Sequence, residues 1–238
     1  MLDCISVDTM RRSDAYTITN FVPSLDLMYR AAYGVFLSCD WIAPVAVVVG
    51  SGNNGGDGFA LACILQVHGI ACTVFKLSDK LSGDSAFYAG KAESGGVTVK
   101  HFSDGCLDGF PCVVDCLLGT GFQGQLRDCY RNAIEEINNS SAYVVSVDIN
   151  SGMNGDSGNC ETAVFSDLTV TIGFIKKGLV TENAGKYMKR LVCADIGITL
   201  IQKEDYIIVA DEEGQGIPCP GWLEPTVINA VLREKLDA

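Results

Sequence analysis

The residues in this chain able to do chemistry gather in two glycine signatures and a few isolated carboxylates. The stretch VAVVVGSGNNGGDGFALACIL carries Gly50, Gly52 and Gly55 in a G-x-G-x-x-G spacing, after an apolar β-branched run and before a helix-like one. A second copy, Gly119, Gly121 and Gly124, follows the run CVVDCLL. Glycines so placed let backbone N–H groups approach phosphate oxygens, and a following helix N-terminus adds partial positive charge. The same spacing also serves tight turns and close helix–strand packing. The first loop departs from an ordinary cofactor cradle because Asn53, Asn54 and Asp57 crowd it. Asp57 is expected at a helix start, where a carboxylate can cap free N–H groups. The acidic residue that an NAD-binding unit places about 20 positions further on is missing, since Phe75 and Lys76 stand there. A conventional nicotinamide dehydrogenase is therefore disfavoured.

Two further carboxylates fall near the ends of apolar runs, Asp115 in VVDCLLG and Asp148 in VSVDINSG. Ionised groups in such settings are costly unless paired or hydrogen-bonded, and neither has a lysine or arginine adjacent in sequence. If the loops converge, Asp115, the Asn54 amide and the Ser151 hydroxyl offer oxygen donors alone, which suit a hard cation rather than zinc. Taken singly, such residues also cap loops. Ser151 is not in a G-x-S-x-G elbow. His68 and His101, the two histidines, are read as surface or structural residues.

The elements that must position these groups read as α/β. Apolar runs at 45–49, 72–77, 97–102, 112–118, 143–149, 168–174, 190–198 and 206–210 alternate with helical or glycine-bearing segments. Continuous rather than alternating Val/Ile runs indicate strands covered on both faces, hence a mostly parallel sheet between helices. Ligands of such a sheet bind beyond the carboxyl ends of its strands, where the loops in question lie. The first 40 residues read as helix, with Ser24 as a cap and Leu27, Met28, Ala31, Ala32, Val35 and Phe36 on one apolar face. The tail GQGIPCPGWLEP reads as an extended surface segment before a short final helix.

The 238 residues are expected to form one domain, 48% hydrophobic. A net charge of -12 opposes nucleic-acid binding. No run is long and apolar enough to span a membrane. The eleven cysteines have no zinc-site spacing; with no leader-like segment at the N-terminus, they point to a reducing cytoplasm.

The segments GSGNNGGDGFALA, VDCLLGTGFQGQLR, VVSVDINSGMNGDSG, TVTIGFIKKGL and DIGI, in that order, resemble the YjeF N-terminal domain family, the NAD(P)H-hydrate epimerases. The likeness runs over about residues 5–198, leaving 199–238 as a C-terminal extension of the same domain. It implies a Rossmann-like three-layer α/β/α sandwich, often dimeric. The implied activity is interconversion of the R and S epimers of hydrated NADH and NADPH (NADHX and NADPHX) at nicotinamide C6, a repair of damaged cofactor completed by a dehydratase acting on the S form. By the same resemblance Asn53, Asn54, Gly55, Gly56 and Asp57 contact substrate, as do Gly119, Thr120, Gly121, Phe122, Gln123, Gly124 and Gln125 in a phosphate-binding loop. Asp148 and Lys176 join them as substrate contacts, and Asn54, Asp115 and Ser151 match ligands of one potassium ion per subunit; the chemistry of inversion at C6 then makes Asp148 the expected acid–base residue. Tyr29, Asn150 and Lys177 depart from the commoner pattern, which has glutamate, proline and proline there. The rival reading is a noncatalytic scaffold of the same fold that dimerises or binds protein or RNA. Such scaffolds often lose the acidic loop residues, which are present here.

Overall fold

A computed structural model of the chain describes residues 2–208 and 216–231. In chain order the elements are β1 (Leu2–Ile5), α1 (Val7–Asn20), α2 (Ser24–Leu37), β2 (Val45–Val49), α3 (Asn53–Val67), β3 (Cys72–Lys76), α4 (Gly83–Ser94), β4 (Thr98–His101) and β5 (Cys112–Cys116). There follow α5 (Asp128–Asn139), β6 (Tyr143–Val147), β7 (Leu168–Ile172), β8 (Ile175–Lys176), β9 (Leu191–Asp195), β10 (Asp205–Ile208), β11 (Ile217–Pro218) and β12 (Leu223–Asn229).

Eight strands form one sheet in the order β12-β9-β7-β6-β5-β2-β3-β4. Every pairing in it is parallel. The chain starts near the middle, at β2, works outward to β4, returns through β5 and then proceeds to the other edge, so all loops leaving the carboxyl ends line one rim. β2 explains the continuous valine run: Val45, Val47 and Val49 enter the core under α2 and α3, while Ala46 and Val48 enter the core on the other face with Ile134 and Ile137 of α5. Each face is thus dry. The result is the three-layer sandwich, and burial of each Val or Ile contributes roughly 2 kcal/mol. α3 is apolar nearly all round because it is clasped between sheet, α2 and α4, whereas α5 buries only Tyr130, Ala133, Ile134 and Ile137.

A smaller sheet, β11-β10-β1-β8, joins the N-terminal strand to late elements. Neither β1 nor β8 was legible as a strand, because four and two residues carry no usable period.

Two expectations are corrected. From residue 223 the tail, expected as an extended surface segment to 225 and then a short helix, is edge strand β12, pairing Val227 with Cys193 and Ile228 with Ala194 of β9. Apolar cross-strand partners and the free edge of β9 outweigh the local proline and glycine. The expected final helix and the end of the 206–210 run lie largely outside the described residues. Ser24 opens α2 as its first residue, with Pro23 at the cap position and no side-chain capping bond.

Candidate active site

The rim loops and α1 enclose a cavity of about 610 Å³. Ile196 and Ile198 line it beyond β9, Ile172 at the end of β7, Asp148 beyond β6, residues 117–123 beyond β5, and Ser51, Gly52, Asn53, Asn54 and Asp57 beyond β2. These five strands are consecutive in the sheet, and four interstrand spacings span about 19 Å. The cavity is accordingly elongated along the rim, apolar at the β9 end and polar at the β2 end.

Asp148 stands in the middle. Its φ of 68° is the only positive value at a non-glycine residue among those described, a left-handed conformation that residues other than glycine adopt mainly where surroundings impose it. Its N–H donates to Val170 O (2.8 Å), which fixes the turn. One carboxylate oxygen accepts from Lys176 Nζ at 2.5 Å, the other from the Thr120 N–H at 3.2 Å. Lys176 is fully buried, and its ammonium also donates to Thr171 Oγ1 (3.0 Å) and Ile172 O (2.6 Å). It therefore sits under Asp148 rather than on the cavity wall, a buried charge satisfied by three oxygen acceptors.

Asp115, in the middle sheet at β5, is fully buried. Its oxygens accept from Ser151 Oγ (2.5 Å) and N (2.9 Å), Ser146 Oγ (3.0 Å) and Leu117 N (3.2 Å). Burial pushes its carboxyl above the usual range, and the bonds from Ser151, Leu117 and Ser146 pull against that. Ser151 in turn holds the next loop, accepting from Leu118 N at 2.9 Å. The Asn54 side chain is buried next to Gly119, and both its amide atoms lack a hydrogen-bond partner. Gly119 separates Asn54 from Asp148: a Cβ there would lie 3.0 Å from Asp148 Oδ2 and 3.3 Å from Asn54 Cβ. Among the described residues no cluster of three His, Cys, Asp or Glu could hold a metal, so any cation here would rely on a single carboxylate together with amide, hydroxyl and backbone oxygens.

The glycine signatures divide by role. A Cβ at Gly50 would strike Leu117 O and one at Gly55 would strike Gly50 O, while Gly56 presses on Met28, so these positions allow close packing. Gly55 and Gly56 are buried and do not reach the cavity. Of the other expected substrate contacts, Asn53, Asn54, Asp57, Gly119, Thr120, Gly121, Phe122, Gln123, Gln125 and Asp148 line it. Gly124 (φ 92°) lines a smaller cavity of about 210 Å³ behind the same loop. Asp57 is corrected: α3 begins at Asn53, which puts Asp57 in its second turn instead of at a cap. Burial, with Asp148 and Asp14 nearby, pushes its carboxyl well up, and Lys176 opposes.

Several lining residues were not singled out in the sequence. Met10, Arg11, Asp14 and Ile18 come from α1, and Arg127 and Tyr130 from the start of α5, with Arg127 packed over the Tyr130 ring at 5.1 Å. The available signal was Met10, Asp14 and Ile18 at i, i+4 and i+8, an acid inside an apolar stripe. His68 stacks on Phe36 and His101 lies 3.5 Å from Asp79, both away from the cavity lining.

The departures from pattern find partners of their own. Asn150 donates to Val164 O, Ser166 Oγ and Tyr187 O and accepts from Thr169, which anchors the 149–152 turn. Lys177 pairs with Glu204 and Asp205, and Tyr29 stacks on Tyr33.

A doubly covered parallel sheet with glycine loops and acids on one rim defines a Rossmann-like α/β protein with a ligand cavity at its strand ends. The chain belongs to the family described as YjeF-related protein N-terminus, whose model matches residues 24–178. It is 36% identical over 200 residues, 80% of this chain and 94% of the relative, to the NAD(P)H-hydrate epimerase of Limosilactobacillus reuteri. The NAD(P)H-hydrate epimerase of Oenococcus oeni is 37% identical over 207 residues, covering 82% and 96%. The bifunctional NAD(P)H-hydrate repair enzyme of Coxiella burnetii is 32% identical over 197 residues, but these are 40% of its length. The crystal structure of yeast ynu0 superposes with a TM-score of 0.70 at 20% identity, covering 85% of this chain and 97% of that one, a likeness of fold.

Proposed function

We propose that the protein is an isomerase that interconverts the R and S epimers of hydrated NADH and NADPH at nicotinamide C6. The observation that carries the reading is the near full-length likeness to curated NAD(P)H-hydrate epimerases, and an elongated cavity with acids beside a glycine loop supports it. Inversion at C6 needs the C–O bond broken and remade, eased by electron donation from the ring nitrogen. Asp148 is suited to move the proton at the C6 oxygen: it faces the cavity, its turn is fixed by Val170, and Lys176 balances its charge. The 119–125 loop and Arg127 supply N–H groups and a guanidinium for the pyrophosphate.

Asn54, Asp115 and Ser151 are proposed to hold one potassium ion per subunit. A buried amide with both atoms unpartnered, taken with the bonded Asp115 carboxylate and Ser151 hydroxyl, is a donor set whose chemistry fits a hard cation. When bound, such an ion supplies fixed positive charge beside the rim loops. The S epimer would pass to an S-specific dehydratase, a coupling consistent with the bifunctional relative. A homodimer in the cytoplasm completes the reading. All eleven cysteines are unpaired, which supports a reducing compartment, and no helix among the described residues is long and apolar enough to cross a membrane.

The test mixes both epimers with an S-specific dehydratase and follows the R form by chromatography. R is expected to be consumed only when this protein is added, and more slowly when choline replaces potassium. Persistence of R at the uncatalysed rate would remove the reading.

A further inference from the structure

α1 is a wall of the cavity, and it is pinned there. Ser6 caps its first turn through Thr9 N (3.2 Å), Val7 N donates to Asp156 Oδ1 (2.7 Å), and the inner-face hydroxyls of Ser13 and Thr17 accept from Ile201 N (3.3 Å) and Thr199 N (2.9 Å). With that face held against the segment after β9, helical spacing turns Met10, Asp14 and Ile18 toward the cavity, all of which line it. Asp14 is thus an acid on a lining that also carries the apolar Met10, Ile18, Ile172, Ile196 and Ile198. Its carboxyl has neither a hydrogen-bond nor a salt-bridge partner among the described residues, in contrast to Asp148, which has Lys176. Burial first, and then the negative charge of Asp148, pushes Asp14 above the ordinary carboxyl range, with Lys176 opposing. Two acids on one cavity lining, one paired with a cation and the other without a partner, are differentiated in the way that separates an acceptor from a donor of protons.

Resting on the epimerase reading, we propose that Asp14, which lies outside the 24–178 family match, is a second catalytic carboxyl: the proton donor to the departing C6 hydroxyl, with Asp148 receiving the proton of the incoming water. In the forward step Asp14 protonates the C6 oxygen, the C6–O bond breaks to release water, and the ring-nitrogen lone pair forms the N1–C6 double bond of an iminium. Water then adds to the opposite face of C6, the double-bond electrons return to nitrogen, and the added water's proton passes to the Asp148 carboxylate. Net, water is exchanged and one proton has moved from Asp14 to Asp148. The reverse epimerisation, or exchange with solvent through the open cavity, restores the starting state.

The dehydratase-coupled assay on the full chain tests this and separates it from the reading beneath it. If the wild type does not consume R, the epimerase reading itself fails. With the wild type active, Asp14→Asn is expected to lower kcat by at least about 100-fold with KM changed less than threefold, and Asp14→Glu to recover part of the loss. In Asp14→Ala, added formate should restore turnover in proportion to its concentration, which a structural role would not produce. Water labelled with oxygen-18 should enter C6 of the epimerised product above the uncatalysed exchange. The alkaline limb of the kcat profile, where the donor deprotonates, should move in Asp14→Glu while Asp57 on α3, Arg11 on α1, and Asp148 with Lys176 still face the site. Asp14→Asn retaining more than half of wild-type kcat overturns the proposal. So does turnover without label incorporation, or loss in Asp57→Asn with none in Asp14→Asn. If Asp14→Asn fails to fold, absence of formate rescue in Asp14→Ala together with an unmoved limb in Asp14→Glu overturns it as well.

Discussion

The two ends of the cavity are built on different physics. At the β2–β5 end the lining is glycine-rich and polar, with Gly52, Gly119 and Gly121 between Asn53, Asn54, Gln123 and Gln125, and with Arg127 as a nearby cation. At the β6–β9 end the walls are Met10, Ile18, Ile172, Ile196 and Ile198, interrupted by Asp14 and Asp148. The first end is suited to hold charge that already exists on a ligand, since backbone dipoles and a guanidinium recognise phosphate without changing state. The second is suited to chemistry, since an apolar wall shifts the acidity of a carboxyl and one buried lysine decides which acid is paired. Lesions at one end should act on turnover and lesions at the other on affinity.

The sharpest test is Asp148→Asn. The amide keeps an oxygen to accept from Lys176, so the fold should survive while kcat falls by about 1000-fold or more and KM stays within threefold; unchanged turnover in the coupled assay would take Asp148 out of the mechanism. Next is Lys176→Met, which strands the Asp148 carboxylate. Breaking a buried pair from one side should lower stability by about 3 kcal/mol in urea unfolding, and a loss below about 1 kcal/mol would mean that water replaces the ammonium. At the opposite end, Arg127→Ala should raise KM about tenfold, the worth of a charge-assisted hydrogen bond to phosphate, with kcat within twofold. A fall in kcat with KM unchanged would break the division of labour between the ends.

The smallest effect concerns the anchor of α1. Glu204 accepts from Ser6 N (3.2 Å) and Oγ (2.7 Å) and pairs with Lys177. Burial pushes its carboxyl up, but hydrogen bonds from Lys177, Thr9 and Ser6 outweigh that and hold it down at about 2, from 4.5. A depressed folded-state value means the stabilisation is fully present above pH 4.5 and is lost as pH falls toward about 2. Glu204→Gln should therefore cost about 1 kcal/mol near neutral pH, and the gap from wild type should close through that acid window. A gap independent of pH would show that the charge is not what ties α1 down.

Much of this frame was legible from local pattern. Seven of the eight expected runs match or contain a strand of the large sheet, with ends within a few residues, because a strand dry on both faces must be an unbroken apolar run such as Val45–Val49, while the described part of the eighth, 206–208, belongs to β10 of the small sheet. Asp115 and Asp148 stood out for the same reason, as charges at the ends of apolar runs. Errors came where the deciding contact is remote. β12 becomes a strand only because β9 offers a free edge, and Asp57 lost its capping role because α3 starts a turn earlier than its glycines suggested.

Sequence alone determined the alternation of elements, the parallel sheet and the rim on which the glycine loops and acids collect, because hydrophobic period and loop chemistry are properties of neighbouring residues. The tertiary structure alone decided that Lys176 reaches Asp148 across 28 positions and that α1 is held by Asp156 across 149. It also decided that Asp14 faces the cavity. Those pairings depend on strand order and on the angle at which a helix crosses the rim, and such geometry exists only once distant segments have packed.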